Sequence, residues 1–237
     1  MRATARPPLP DAIFFDMDGT ILDWQTGMEA SWAAACSAHC DGTFAPGAMH
    51  ELIRKRRTWF WSDAVRAYAG RMDLDGASRE IVRHAFADSG LSDLSLAHRI
   101  ADDYRARRAA EIAPYPGAIE ALEALRAWGV RMALITNGEA KNQRRSVERF
   151  GLERYFDCII IEGEFGAGKP DERVFRHALA TTGCEPAGAW MVGDSLEADI
   201  APAAALGLHA VWVNADGEAA PDGVRPHRVV RSIAELV

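Results

Sequence analysis

Cysteine is scarce, with four in 237 residues, and none of the four forms a C-x-x-C pair. That spacing leaves no zinc ribbon, no dithiol redox motif and no disulfide framework for a chain this long. Cys36, Cys40, Cys158 and Cys184 therefore read as reduced thiols, which points to the cytoplasm. Long apolar runs are missing too: no stretch of eighteen occurs, so no membrane span is expected. The opening "MRATARPPLP" lacks an apolar core of seven or more residues, so residues 1–10 are expected to form a flexible tail rather than a signal peptide. Positive charge is in deficit, with 27 Lys and Arg against 34 Asp and Glu, a net charge of −7. A nucleic-acid backbone is held by an excess of cations, so no nucleic-acid partner is expected and a small anionic substrate is. The sequence shows no internal repeat, and nothing in it sets an oligomeric state.

What the chain does have is apolar residues in a repeated arrangement. With 49% hydrophobic content it can bury a large core. "EALRAWG" leads into "VRMALIT", "VERFG" into "LERYFDCIII", "ALATTG" into "CEPAGAWMVGD" and "AALG" into "LHAVWVN". Each unit is a helix, a glycine that caps it, and a short apolar run of the kind that forms a strand buried on both faces. With "AIFF" at 12–15 as the first strand, about five parallel strands alternate with helices. The expected fold is α/β, a doubly wound, Rossmann-like parallel sheet whose ligands lie at the carboxyl ends of the strands.

Those strand ends carry chemistry. "AIFF" runs into Asp16 and Asp18, "MALI" into Thr136 and Asn137, and "WMVG" into Asp194, with Asp199 five positions on. A single aspartate at a strand end is most often a turn or cap residue; three acidic or hydroxylic strand ends together point to a site. Residues 22–113 lack the helix–glycine–strand rhythm and read as amphipathic helices near 28–40, 47–61, 78–88 and 94–110. They are expected to form an inserted all-α helical cap, leaving residues 11–21 and 114–237 as the catalytic core. An insert placed directly after the first strand would lie over the carboxyl end of the sheet as a lid.

"GEFGAGKP" at 163–170 resembles a P-loop, which needs G-x-x-x-x-G-K followed by Ser or Thr to cradle phosphates and hold magnesium. Pro170 supplies neither the hydroxyl nor an N–H, so a P-loop NTPase is disfavoured, and Asp16 and Asp18 would be left without a role. Pro170 is instead expected in the first turn of the helix "DERVFRHALA". Lys169 would then stand just before that helix and aim at the sheet's carboxyl end.

Taken together, "FFDMDGT" at 14–20, "LITNG" at 134–138, Lys169 before Pro170 and "GDSLEAD" at 193–199 resemble the four ordered motifs of the haloacid dehalogenase-like hydrolase superfamily. The resemblance covers roughly residues 11–215, and the helical insert is similar to the alpha-helical cap of the family's first subclass. It implies that Asp16 is a nucleophile that forms an aspartyl phosphate, and that Asp18 is the general acid and base. It implies Mg²⁺ as cofactor, held by Asp16, Asp194 and the main-chain carbonyl of Asp18, with Asp199 orienting metal-bound waters or ligating directly. Gly19, Thr20, Thr136, Asn137, Gly138 and Lys169 would bind the phosphoryl group.

The acidic residue at Asp18 sets the chain apart from the family's dehalogenases, whose halide leaving group takes no proton, and implies a phosphatase acting on a small phosphorylated metabolite. A phosphomutase is the alternative within the family; a catalytically silent binding protein would be expected to carry a broken motif. In the cap, a helical wheel of "PGAMHELIRKRRTWFW" puts Met49, Leu52, Ile53, Trp59 and Phe60 on one face with Arg56 among them. Arg56 is a candidate contact for a distal acidic group of the substrate, against the plainer reading of a guanidinium snorkelling from an apolar stem. Trp24, close behind the nucleophile loop, is a candidate pocket wall.

Overall fold

A computed structural model describes residues 9–221 and 223–237. Most of the predicted tail, residues 1–8, lies outside them. The described residues group into two compact units, one running up to Asp23 and resuming as Ala113–Val237, the other Trp24–Ile112.

The first unit is built on parallel strands β1 (Ala12–Phe15), β4 (Arg131–Thr136), β5 (Cys158–Ile161), β6 (Ala189–Gly193), β7 (His209–Val213) and β8 (Arg228–Val230), in the order β5-β4-β1-β6-β7-β8. The sequence reading of about five strands missed β8, whose three residues are too few to show a period. A separate antiparallel ribbon pairs β2 (Leu22–Asp23) with β3 (Ala113–Pro114). Leu22, Asp23 and Ala113, assigned to the insert from sequence, thus belong with the sheet unit. All four residues of β1 are buried, as a central strand covered on both faces requires. Because β1 lies between β4 and β6, the chain order reverses beside it, and a doubly wound sheet opens its ligand crevice at that point.

The second unit is all helix: α1 (Met28–Ala38), α2 (Pro46–Trp61), α3 (Ala64–Met72), α4 (Leu74–Asp88) and α5 (Leu94–Glu111). Met49, Ile53 and Phe60 of α2 are buried, with Leu52 and Trp59 packed against the same cluster, so the apolar face expected from the helical wheel is the one that packs inward. Burying each such side chain is worth roughly 1.5–3 kcal/mol. The sequence reading did not separate α3, and it started α4 four residues late. Asp63 and Asp73 cap these helices, each side-chain oxygen accepting from an amide three residues on. Arg108 is buried in this unit, donating to the carbonyls of Trp24 and Thr26 and to Glu111.

The sheet is flanked by α6 (Ala118–Ala127), α7 (Ala140–Arg149), the short α8 (Glu162–Phe165), α9 (Glu172–Thr182) and α10 (Ala201–Ala205). Gly183 ends α9 with φ +60°, the left-handed cap the sequence rhythm implied. Pro170 is not in the first turn of α9. Asp171 caps that helix by accepting from the Arg173 amide at 2.9 Å, which moves the start to Glu172 and leaves Pro170 in the preceding loop, after a cis peptide bond. The four cysteines are free thiols, Cys36 and Cys184 buried and the other two partly so.

Candidate active site

Register brings the strand-end residues together. Phe15 pairs with Leu134 on one side and Val192 on the other, and the Asp16 amide donates to the Val192 carbonyl at 2.9 Å. Asp16 therefore leaves β1 level with the ends of β4 and β6, beside Thr136 and Asp194. Both Asp16 and Thr136 are buried; Asp18 and Asp194 are partly so.

Lys169 is the pivot of the charged groups. Its Nζ lies 2.6 Å from Asp16 Oδ1 and 2.6 Å from Asp199 Oδ1, and all three side chains are buried. Asp16 Oδ2 and the Thr20 hydroxyl are buried without a hydrogen-bond partner among the described residues. A native protein rarely leaves such atoms alone, so both are open to a ligand. Asp199 sits in a wide turn, Leu196–Ile200, where its Oδ2 accepts from the Ser195 amide at 3.0 Å. Gly19 has φ +92°, and a Cβ there would fall 2.2 Å from Asp194 Oδ2, so glycine is required for this loop to close on Asp194.

Burial raises the carboxyl of Asp18 to about 6; the Gln143 amide pulls it back and the Asp16 charge pushes it further. Asp194 rises to about 7, through burial and then the Asp16 and Asp199 charges. Asp199 rises to about 6 through burial, with Lys169 opposing. Burial works against the ammonium of Lys169, but Asp16 and Asp199 outweigh it and hold it above the usual lysine range. Four carboxylates around one ammonium leave a negative surplus.

One oxygen from each of Asp16, Asp194 and Asp199 can be chosen so that all lie within 4.8 Å of one another. A cluster of hard oxygens with surplus charge and an unpartnered Asp16 Oδ2 fits a divalent cation.

Two predicted phosphate-binding groups are engaged within the protein. Asn137 donates Nδ2 to the Lys169 carbonyl at 2.7 Å and accepts the Lys169 amide on Oδ1 at 2.8 Å. The Gly138 amide donates to Glu162 Oε2 at 2.9 Å.

Two buried residues of the site went unnoticed in the sequence. Glu162 directly follows β5, and a strand-end search extended to that strand would have found it. Gln143 lies in "AKNQRRSVER", whose charged surroundings hide it; its i+4 partner Val147 is the other buried residue of α7 and marks the inner face. The Gln143 Nε2 donates to Asp18 Oδ2 at 2.8 Å, Thr136 Oγ1 at 2.6 Å and the Asn137 carbonyl at 3.1 Å.

"GEFGAGKP" takes a shape unlike a P-loop. Gly163 lies inside α8, where a Cβ would meet the Ala140 amide nitrogen at 2.5 Å, and Gly168 packs on Glu162. The next long helix, α9, begins at Glu172, after the Asp171 cap. Of the cap candidates, Trp24 is 38% exposed, and Arg56 forks onto Asp88 with Nε 2.6 Å from Oδ2.

A profile of the haloacid dehalogenase-like hydrolases matches residues 10–207. The chain is 39% identical to pyrimidine 5'-nucleotidase YjjG of Escherichia coli (strain K12) over 124 residues, which is 52% of this chain and 55% of that one. It is 38% identical to ribulose-1,5-bisphosphate 5-phosphatase of Halopiger xanaduensis over 206 residues, covering 84% of this chain and 83% of the relative. Among solved structures, a HAD phosphatase from Thermococcus onnurineus is similar at 25% identity and a TM-score of 0.64, covering 95% of each chain. With its four motifs converging at the carboxyl end of a doubly wound sheet, the chain belongs to the haloacid dehalogenase-like hydrolase family.

Proposed function

We propose that the protein is a Mg²⁺-dependent phosphatase that hydrolyses a small phosphorylated metabolite through an aspartyl-phosphate intermediate. The observation that carries this reading is the arrangement at Asp16: one carboxylate oxygen held by Lys169 at 2.6 Å, the other buried and without a partner among the described residues. A carboxylate oriented and half-satisfied in this way is set up to attack. The relatives' names, a nucleotidase and a bisphosphate phosphatase, favour phosphatase over phosphomutase.

A carboxylate oxygen of Asp16 attacks phosphorus, the new O–P bond forms, and the bond from phosphorus to the ester oxygen breaks. Asp18 gives the leaving oxygen its proton, then takes one from the water that attacks the aspartyl phosphate, releasing inorganic phosphate and free Asp16. The Thr136 and Thr20 hydroxyls would donate to phosphoryl oxygens, and Lys169 would offset negative charge. Asp16, Asp194 and the main-chain carbonyl of Asp18 would hold Mg²⁺, with Asp199 beside them; bound there, the ion neutralises charge on the transferring group. Such stabilisation matters because phosphate-monoester hydrolysis needs up to about 10²¹-fold acceleration, roughly 29 kcal/mol.

In the same reading the helical unit, Trp24–Ile112, is the inserted cap domain. Trp24, 38% exposed, is its candidate substrate contact. Arg56 is the weaker cap contact, since reaching a substrate would cost it Asp88.

Phosphate release from a panel of phosphomonoesters, in Mg²⁺ and in EDTA, tests the proposal. Release should need the metal and vanish in Asp16→Asn. Metal-independent release that survives that substitution would defeat it.

A further inference from the structure

We propose that Gln143 is a positioning residue for the reaction, holding Asp18 and Thr136 in the relative placement that the chemistry needs. The inference rests on the phosphatase reading for the role of Asp18. One nitrogen, Nε2, lies within hydrogen-bond distance of three acceptors contributed by two strand-end loops, Asp18 Oδ2 after β1 and Thr136 Oγ1 and the Asn137 carbonyl after β4, its two hydrogens serving all three with one of them shared. Gln143 is buried, so its amide lacks the competing water that would loosen these bonds.

The chemistry of the three acceptors fixes which way the amide points. The Asn137 carbonyl can only accept, so the group facing it must be the NH₂ and not the oxygen. The same NH₂ then meets the carboxylate of Asp18 as a donor, engages Oδ2, and leaves Oδ1 as the oxygen on which a proton can travel to or from substrate. It also occupies a lone pair of the Thr136 hydroxyl, which frees the hydroxyl hydrogen to point at a phosphoryl oxygen. Asp18 is only partly buried and has no other side-chain partner among the bonds described. Without Gln143 its carboxylate could rotate away from the leaving-group oxygen while Asp16, held separately by Lys169, stayed in place.

That separation makes the role measurable. An aryl ester such as p-nitrophenyl phosphate expels a stable anion and needs little help from an acid; an alkyl ester such as glycerol phosphate must be protonated as it leaves. Loss of Asp18 positioning should therefore be selective for the alkyl ester, whereas general damage to the fold or to Asp16 should affect both alike.

The experiment measures kcat/KM for both esters, with Mg²⁺, in wild type, Gln143→Met, Gln143→Glu, Asp18→Asn and the Gln143→Met/Asp18→Asn double variant. Both Gln143 substitutions keep the side-chain length, and Gln143→Glu retains a polar group if Gln143→Met does not fold. The expected result is a fall of about 10²-fold on the alkyl ester and under 10-fold on the aryl ester for either Gln143 variant. Gln143→Met should add nothing once Asp18 is Asn. Equal losses on the two esters, or additive losses in the double variant, would overturn the positioning role. If the Gln143 variants are unselective while Asp18→Asn is selective, the phosphatase reading stands and the role of Gln143 falls. If the wild type releases phosphate from neither ester nor from any member of the wider panel, both fall together.

Discussion

Asn137 grips Lys169 by the backbone, donating Nδ2 to its carbonyl at 2.7 Å and accepting its amide at 2.8 Å. A side-chain amide that satisfies both polar groups of one residue acts as a short piece of β-ladder. It fixes where the Lys169 backbone runs, and so where the ammonium arrives between Asp16 and Asp199. The asparagine of "LITNG" thus contributes to charge placement through a neighbour 32 positions away.

Asn137→Ala should leave the sheet intact and free the loop that carries Lys169. Two main-chain groups would lose their partner, each worth about 1–3 kcal/mol if buried. Asn137 is only partly buried, so water can recover some of that. The expected cost is about 1–2 kcal/mol in thermal or denaturant unfolding, with a fall in kcat of more than about 10-fold, whereas a purely structural change of that size would leave the protein folded and its kcat nearly unchanged. A variant that loses stability but keeps its kcat would show that Lys169 does not depend on the clamp.

Gly163→Ala addresses "GEFGAGKP" from the other side. A Cβ at 163 would lie 2.5 Å from the Ala140 amide nitrogen and 3.1 Å from the Gly138 carbonyl, both backbone atoms that cannot rotate away. The loop after β4 and helix α8 would have to part, disturbing Gly138, its bond to Glu162 and the loop's path past Thr136. A loss of about 2–4 kcal/mol in stability is expected, with reduced phosphate release. ATP should stabilise neither wild type nor variant in a thermal-shift assay without substrate turnover; a nucleotide-dependent rise in the wild type alone would revive the P-loop interpretation.

Much of this architecture could be read from the chain because it rests on short-range rules. The glycine after each helix and the buried runs after it produce β4 to β7 directly, and the residue one step past each run falls at the sheet's carboxyl end. What escaped the sequence depends on pairings across the fold. β8 is three residues that become a strand only by lying on β7. The start of α9 was misread because Pro170 and Asp171 both signal a helix start, and the side-chain bond of Asp171 decides between them. Gln143 looks like one polar residue among several on a charged helix until folding turns its face toward Asp18. The motif of Asn137 and Gly138 points to phosphate, whereas their engagement with Lys169 and Glu162 depends on contacts more than twenty residues away.

Gly19→Ala should separate cation binding from the rest of the site. The φ of +92° costs a side chain about 1–2 kcal/mol, and the added Cβ would lie 2.2 Å from Asp194 Oδ2. Asp194 is flexible enough to turn away, so the variant is expected to fold. Turning away would withdraw an oxygen from the acidic cluster and weaken apparent Mg²⁺ affinity by about 10- to 100-fold, the range for lost support around a metal ligand. A Mg²⁺ titration of phosphate release measures this; an unchanged midpoint would mean that Asp194 takes no part in holding the ion.

The acidic cluster also predicts opposite pH behaviour with and without metal. Asp194 rises from the ordinary carboxyl value of 3.8 to about 7 through burial and its acidic neighbours. Between those two values the folded protein holds a proton on Asp194 that the unfolded chain has released, so stability falls as pH rises through that window. Asp194→Asn removes the titration. In EDTA the variant should match wild type near pH 4 and exceed it at pH 8, by about 1–2 kcal/mol after allowing for partial exposure, or a few degrees in Tm. Mg²⁺ should reverse the order at pH 8, because the ion binds the ionised carboxylates of the wild type and finds one fewer in the variant. Thermal unfolding of both proteins at the two pH values, each with EDTA and with Mg²⁺, gives the four comparisons. A wild type that gains stability over the variant between pH 4 and 8 in EDTA would mean that Asp194 is ionised at little cost in the metal-free fold, and that the cluster needs no cation to balance it.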